Sequence, residues 1–238
     1  MRTRVWFTVW MVLAAGMGTT VRAEDDFFLK DGEKVVFFGD SITQGGHYVT
    51  YVEAFLMTRF PEQSFSVINH GISSETVSGT SEADHSPKRP NALDRFERDV
   101  LNYKPDVLVA CFGMNDGVYA PLDSQRFALY QKGIRTLVDG VREQGGRVTL
   151  LTPPPFDPYR RKASDPDANV FGYKYPYLGY DDVLNEYGRW ERSLRSENVT
   201  VADVHSLMRS HLDKRRKAKV SYYLSGDAVH PNETGHWL

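Results

Sequence analysis

The sequence predicts an α/β protein, a three-layer α/β/α sandwich around a five-stranded parallel sheet. Three observations carry that reading. Short apolar runs alternate along the chain with longer stretches of helical periodicity, the pattern of successive β-α-β units. One of those runs, residues 106–112, is almost wholly apolar, as a strand covered on both faces must be. Each candidate strand also ends beside a segment rich in Gly, Ser, Asn or Pro. Such segments form loops at the carboxyl edge of a parallel sheet, where ligands of these folds collect.

The elements follow in order. Residues 34–38 form the first strand and 47–60 a helix; residues 64–69 form the second strand. Residues 91–103 read as a helix closed by Pro105, and 106–112 as the third strand. A long amphipathic helix spans 124–144 and stops at Gly145-Gly146, a normal terminator. The fourth strand covers 147–152, a helix 181–196, the fifth strand 199–203 and another helix 204–219. Residues 153–180 break the pattern with several prolines and the aromatics Phe156, Tyr159, Phe171, Tyr173, Tyr175, Tyr177 and Tyr180. So long an irregular stretch is functional or disordered. Its rings can stack on sugars or equally pack the loop onto the domain. The final residues, Pro231 to Leu238, read as the first turn of a helix cut short.

The first 23 residues differ from the rest. Arg2 and Arg4 precede an apolar run over residues 5–17, and Val21-Arg22-Ala23 ends the segment. A basic start, an apolar centre and a small-x-small end read as a secretory signal peptide cut after Ala23. The run falls short of the ~20 apolar residues of a membrane-spanning helix, and no cysteine near the cut offers a lipid anchor. The expectation is a secreted or periplasmic protein with one domain, residues 24–238, and no stable membrane anchor.

The whole chain has 238 residues, 41% hydrophobic and 25% charged, enough for a core that needs no disulfide or metal. It carries 29 Lys and Arg; without the three arginines of the leader, 26 remain against 31 acids. That acidic balance argues against a nucleic-acid partner. The basic cluster at Lys214-Arg215-Arg216-Lys217-Ala218-Lys219 reads as a solvated helix end. The lone cysteine, Cys111, lies in an apolar run and reads as a buried small hydrophobe.

Four segments at strand ends carry chemistry. Gly39-Asp40-Ser41-Ile42-Thr43 follows the first strand, where a tight strand-to-helix turn can expose a serine hydroxyl; a plain helix N-cap is the alternative. Asn69-His70-Gly71 follows the second, where a glycine lets a backbone N–H approach a ligand, or simply turns the chain. Gly113-Met114-Asn115-Asp116 follows the third, offering a side-chain amide to developing negative charge, or an ordinary turn. Asp227-Ala228-Val229-His230 precedes the last helix, with a carboxylate placed to hold an imidazole tautomer. A metal site is the alternative there, but no supporting ligand spacing appears.

In identity, order and spacing the four segments resemble the blocks of the SGNH/GDSL hydrolase family, and the resemblance spans residues 34–238. The first block reads Gly-Asp-Ser-Ile instead of Gly-Asp-Ser-Leu. The resemblance implies a flavodoxin-like sheet of strand order 2-1-3-4-5, with no cofactor and no metal. It implies Ser41 as nucleophile, His230 as base and Asp227 as its orienting acid. The oxyanion hole would use the Ser41 and Gly71 N–H groups and the Asn115 side chain, with Asp40 tying the loop together. Histidines 47, 70, 85, 205, 211 and 236 read as packing or capping residues, though His47 and His70 are near enough to meet substrate. The implied activity is ester hydrolysis on a small-molecule or polysaccharide ester, acetyl carbohydrate esters first. Lysophospholipase or thioesterase chemistry is one alternative; a non-catalytic carbohydrate-binding protein on this scaffold is another.

Overall fold

The computed structural model describes residues 27–161 and 170–238. Residues Asp31–Leu238 form one compact unit, which holds every element of the described residues. The expected signal peptide, residues 1–23, lies outside the described residues.

Five parallel strands form one sheet: β1 (Lys34–Gly39), β2 (Ser66–Gly71), β3 (Val107–Cys111), β4 (Arg147–Leu151) and β5 (Val199–Ala202). Their order is β2-β1-β3-β4-β5, as the resemblance implied. The central strands β1 and β3 are apolar on both faces and almost fully buried. The edge strands β2 and β5 leave residues exposed. The helices are α1 (Ser41–Gln44), α2 (His47–Arg59), α3 (Phe96–Asp99), α4 (Ser124–Glu143), α5 (Tyr180–Arg192), α6 (Val204–Ala218) and α7 (Glu233–Trp237).

The side-chain alternation of β1 sends neighbouring phenylalanines to opposite faces. Phe37 meets Tyr48 of α2, with ring centroids 5.7 Å apart, while Phe38 meets Phe96 of α3 at 6.1 Å. Helix α4 shows how the layers are held. Asp123 caps it by accepting the Arg126 N–H at 2.8 Å. Its buried stripe of Tyr130, Ile134, Leu137, Val138 and Val141 recurs every three to four residues, each aliphatic side chain worth about 1.5–3 kcal/mol when buried. Gly145, at φ +84°, ends it.

Most predicted elements appear within a few residues of their expected ends. The exception is the helix expected over 91–103. It is broken into two 3₁₀ turns, Ala92–Arg95 and Leu101–Tyr103, around the one-turn α3. Its apolar periodicity is sound, since Ala92, Phe96 and Val100 are buried. But the backbone leaves helical geometry at Arg95, whose buried guanidinium is held by Glu75 and by the His70 carbonyl. Tertiary partners override local propensity there.

This topology positions the site. The chain runs outward from β1 to β2, then returns across β1 to β3. The switch point of the topology, where such folds form a crevice, therefore lies at the carboxyl ends of β1 and β3, the ends followed by Ser41 and Asn115.

Candidate active site

Strand β1 ends at Gly39, where an added Cβ would lie 2.2 Å from Thr43 Oγ1 and 2.6 Å from the Cys111 carbonyl. Only glycine fits so close an approach. Asp40 then caps α1, its Oδ1 accepting the Ile42 N–H at 2.9 Å. Ser41 is the first residue of the helix, so its N–H has no helical acceptor. Its hydroxyl lies 2.8 Å from His230 Nε2. Burial pushes the Asp40 carboxyl up to about 7, helped by the Asp116 and Glu75 carboxylates and opposed by the Ile42 N–H and His230.

The histidine arrives from the segment before α7. Ala228 takes a left-handed turn at φ +77°, which folds residues 227–230 back on themselves. Asp227 Oδ1 accepts the Val229 and His230 N–H groups at 3.0 and 2.8 Å. That leaves Oδ2 at 2.6 Å from His230 Nδ1. An ionised carboxylate can only accept, so Nδ1 bears the proton and Nε2 presents its lone pair to Ser41. Burial would raise the Asp227 carboxyl, but hydrogen bonds from the His230 ring and from the His230 and Val229 backbone outweigh it. They hold Asp227 well below the usual carboxylate range. The Asp227 hydrogen bond raises His230 above the ordinary imidazole value, against some desolvation.

Asn115 is buried in the turn after β3. Its Nδ2 donates to the Glu75 carbonyl at 3.1 Å and reaches Asp40 Oδ2 only at 3.5 Å. Its Oδ1 accepts from Arg89 Nη1 and from the Tyr119 hydroxyl, both at 3.0 Å. The neighbouring Asp116 builds the floor, accepting the Val77, Ser78 and Gly113 N–H groups at 2.8–2.9 Å.

The structure brings Ser41, His230, Asp227, Asp40 and Asn115 together, but Gly71 stands differently. Its N–H is taken by Asn69 Oδ1 at 2.9 Å, and its missing side chain makes room for α1. A Cβ there would fall 2.1 Å from Gln44 N. Gly71→Ala should therefore destabilise the fold by about 1–3 kcal/mol or more, read as a lowered midpoint in urea. The backbone beside Asn115 is instead that of Ser74 and Glu75. Ser74 holds a left-handed φ of +63°, its carbonyl accepts from the same Arg89 Nη1 at 3.3 Å, and its N–H has no acceptor among the described residues. A serine in a conformation that favours glycine gives no readable signal in sequence.

A family profile described as "GDSL-like Lipase/Acylhydrolase family" matches residues 37–238, the span that contains all of these groups. The chain belongs to that family. It is similar to the acetylxylan esterase of Geobacillus stearothermophilus, at 26% identity over 234 residues, 87% of this chain and 90% of that one. A crystal structure of Axe2, an acetylxylan esterase from the same organism, superposes with a TM-score of 0.63 at 25% identity, covering 87% and 90% of the two chains. The structure of BT4096, a gut microbial diltiazem-metabolizing enzyme, matches with a TM-score of 0.65 at 24% identity. The match covers 87% of this chain but only 45% of BT4096, so that likeness concerns the fold.

Other features of this GDSL-like acylhydrolase fall around the site. The His236 ring stacks on Tyr48 at 6.1 Å and lies tilted against His47 at 5.0 Å; desolvation lowers His236 to about 4, with His47 and His230 adding repulsion. The His70 ring packs on Tyr103. His205 is buried and bonds the Pro153 carbonyl. In the aromatic stretch Phe156 and Tyr180 are buried in the core, while Tyr159, Tyr173 and Tyr175 are exposed. Residues 162–169 lie outside the described residues. Among the described residues, no group of three His, Cys, Asp or Glu could hold a metal, and no helix is long and apolar enough to cross a membrane.

Proposed function

We propose that this acylhydrolase is an exported serine esterase that removes acetyl or other short acyl groups from carbohydrate esters. The observation that carries the mechanism is the unbroken line from Ser41 Oγ to His230 Nε2 at 2.8 Å and from His230 Nδ1 to Asp227 Oδ2 at 2.6 Å. Ser41 attacks the ester carbonyl while His230 takes its proton, and Asp227 holds the imidazole and stabilises its cation. The carbonyl oxygen becomes an oxyanion, met by the Ser41 N–H, the Asn115 amide and the Ser74 N–H. Collapse expels the sugar hydroxyl, protonated by His230. Water, activated by the same histidine, then releases the acid and frees Ser41.

The choice of substrate rests on the similarity to acetylxylan esterase over most of both chains and on the exposed Tyr159, Tyr173 and Tyr175, whose faces suit sugar rings. Export rests on the leader-like residues 1–23.

Acetate release from acetylated xylan, measured beside p-nitrophenyl esters of rising chain length, tests the reading. Acetyl preference supports it, and a preference for long acyl chains would sink the carbohydrate assignment. Asn115→Ala removes one oxyanion donor, so kcat should fall by about 10²–10³ with little change in KM. Steady-state kinetics on p-nitrophenyl acetate reads both quantities.

A further inference from the structure

Arg89 lies outside every segment that the sequence marks for chemistry, yet it is 6% exposed and touches two parts of the oxyanion neighbourhood. Its Nε and Nη2 form a two-pronged pair with Glu82, at 2.6 and 2.7 Å. The remaining nitrogen, Nη1, is left to donate to Asn115 Oδ1 at 3.0 Å and to the Ser74 carbonyl at 3.3 Å. The guanidinium also sits over the Tyr119 ring, 5.6 Å from its centroid.

A primary amide has two faces that differ by a half-turn, and a buried site must choose one. At Asn115 the choice is enforced from both sides. Arg89 can only donate, so it requires the amide oxygen; the Glu75 carbonyl can only accept, so it requires the amide nitrogen. Tyr119 alone would not decide, because a hydroxyl can donate or accept. A cation on Oδ1 also draws electron density from the amide and strengthens Nδ2 as a donor. Glu82 neutralises the cation without occupying Nη1, and its Oε1 also accepts the Tyr173 N–H at 3.2 Å.

We propose that Arg89 is a positioning residue for the oxyanion hole. It fixes the Asn115 amide with its nitrogen toward the reacting carbonyl and holds the left-handed turn at Ser74. This rests on the esterase reading for its kinetic consequence, but the orientation of Asn115 does not.

The test replaces the buried pair together, as Glu82→Gln/Arg89→Met, because removing the cation alone would strand a buried carboxylate. The amide that Glu82→Gln introduces retains an acceptor for the Tyr173 N–H. Side-chain amide NMR of this variant should show the Asn115 Nδ2 hydrogens shifted and exchanging faster with solvent, because the Glu75 carbonyl alone then holds the amide. Its kcat on p-nitrophenyl acetate should fall about tenfold to hundredfold, with KM within about twofold, as expected for part of one oxyanion donor. In an Asn115→Ala background the same pair of changes should cost less than in wild type, since only the hold on Ser74 is left to lose. Glu82→Gln alone, which keeps Arg89, should retain most of the rate. An Asn115 amide signal unchanged in shift and exchange in a folded double variant would overturn the proposal. So would full additivity with Asn115→Ala. If wild-type protein hydrolyses no ester, the esterase reading fails, and the Asn115 orientation still decides what Arg89 does.

Discussion

Ser41→Ala should leave the fold intact and remove hydrolysis almost entirely, with kcat falling by about 10⁶ and a small residual rate from the oxyanion donors and binding alone. The expectation of an intact fold comes from what the hydroxyl touches. It bonds His230 Nε2 at 2.8 Å, while the cap on α1 is made by Asp40. Removing the hydroxyl therefore costs no helix cap. Circular dichroism and a urea midpoint near wild type, together with lost ester hydrolysis, would separate chemistry from folding. Substantial activity in a folded Ser41→Ala protein would mean that another nucleophile is at work.

The second large effect belongs to Asp227. In Asp227→Asn the acceptor for Nδ1–H becomes an amide, which can present its NH₂ group instead and stabilise the wrong tautomer. A loss of about 10⁴ in kcat is expected. The pH profile gives an independent check. His230 acts as a base only when neutral, so activity falls as pH drops through its pKa. Asp227 raises that pKa above the ordinary value of 6.5, against desolvation, so the acid limb of wild-type kcat/KM should lie above 6.5. Removing the carboxylate should move the limb to lower pH. A limb that stays in place in Asp227→Asn would show that some other group sets it.

Much of this arrangement was legible in the sequence because it is local. Strand β3 is a continuous apolar run, and α4 has a clear stripe, an acidic cap and a glycine stop. Ser41, Asn115, Asp227 and His230 each follow a strand or precede a helix at a spacing that their chemistry requires. What escaped is what depends on distant partners. The segment 91–103 has helical periodicity, yet Arg95 is drawn to Glu75, twenty residues earlier in the chain. Gly71 looks like a ligand-approach glycine, but the close neighbour is the backbone of α1. Ser74 reaches a left-handed φ without being glycine, and Arg89 is recognisable only once Glu82 and Asn115 are seen around it. None of these carries a one-dimensional signature.

In the proposed mechanism Ser41 carries the acyl group. Rapid acid quench of the protein with p-nitrophenyl acetate or acetylated xylo-oligosaccharide, followed by peptide mass spectrometry, is the decisive test. The expected result is one acetyl group on the peptide containing Ser41, formed at the rate of a kinetic burst and absent from Ser41→Ala. Turnover with no adduct on Ser41, or an adduct on another residue that keeps pace with product release, would contradict it.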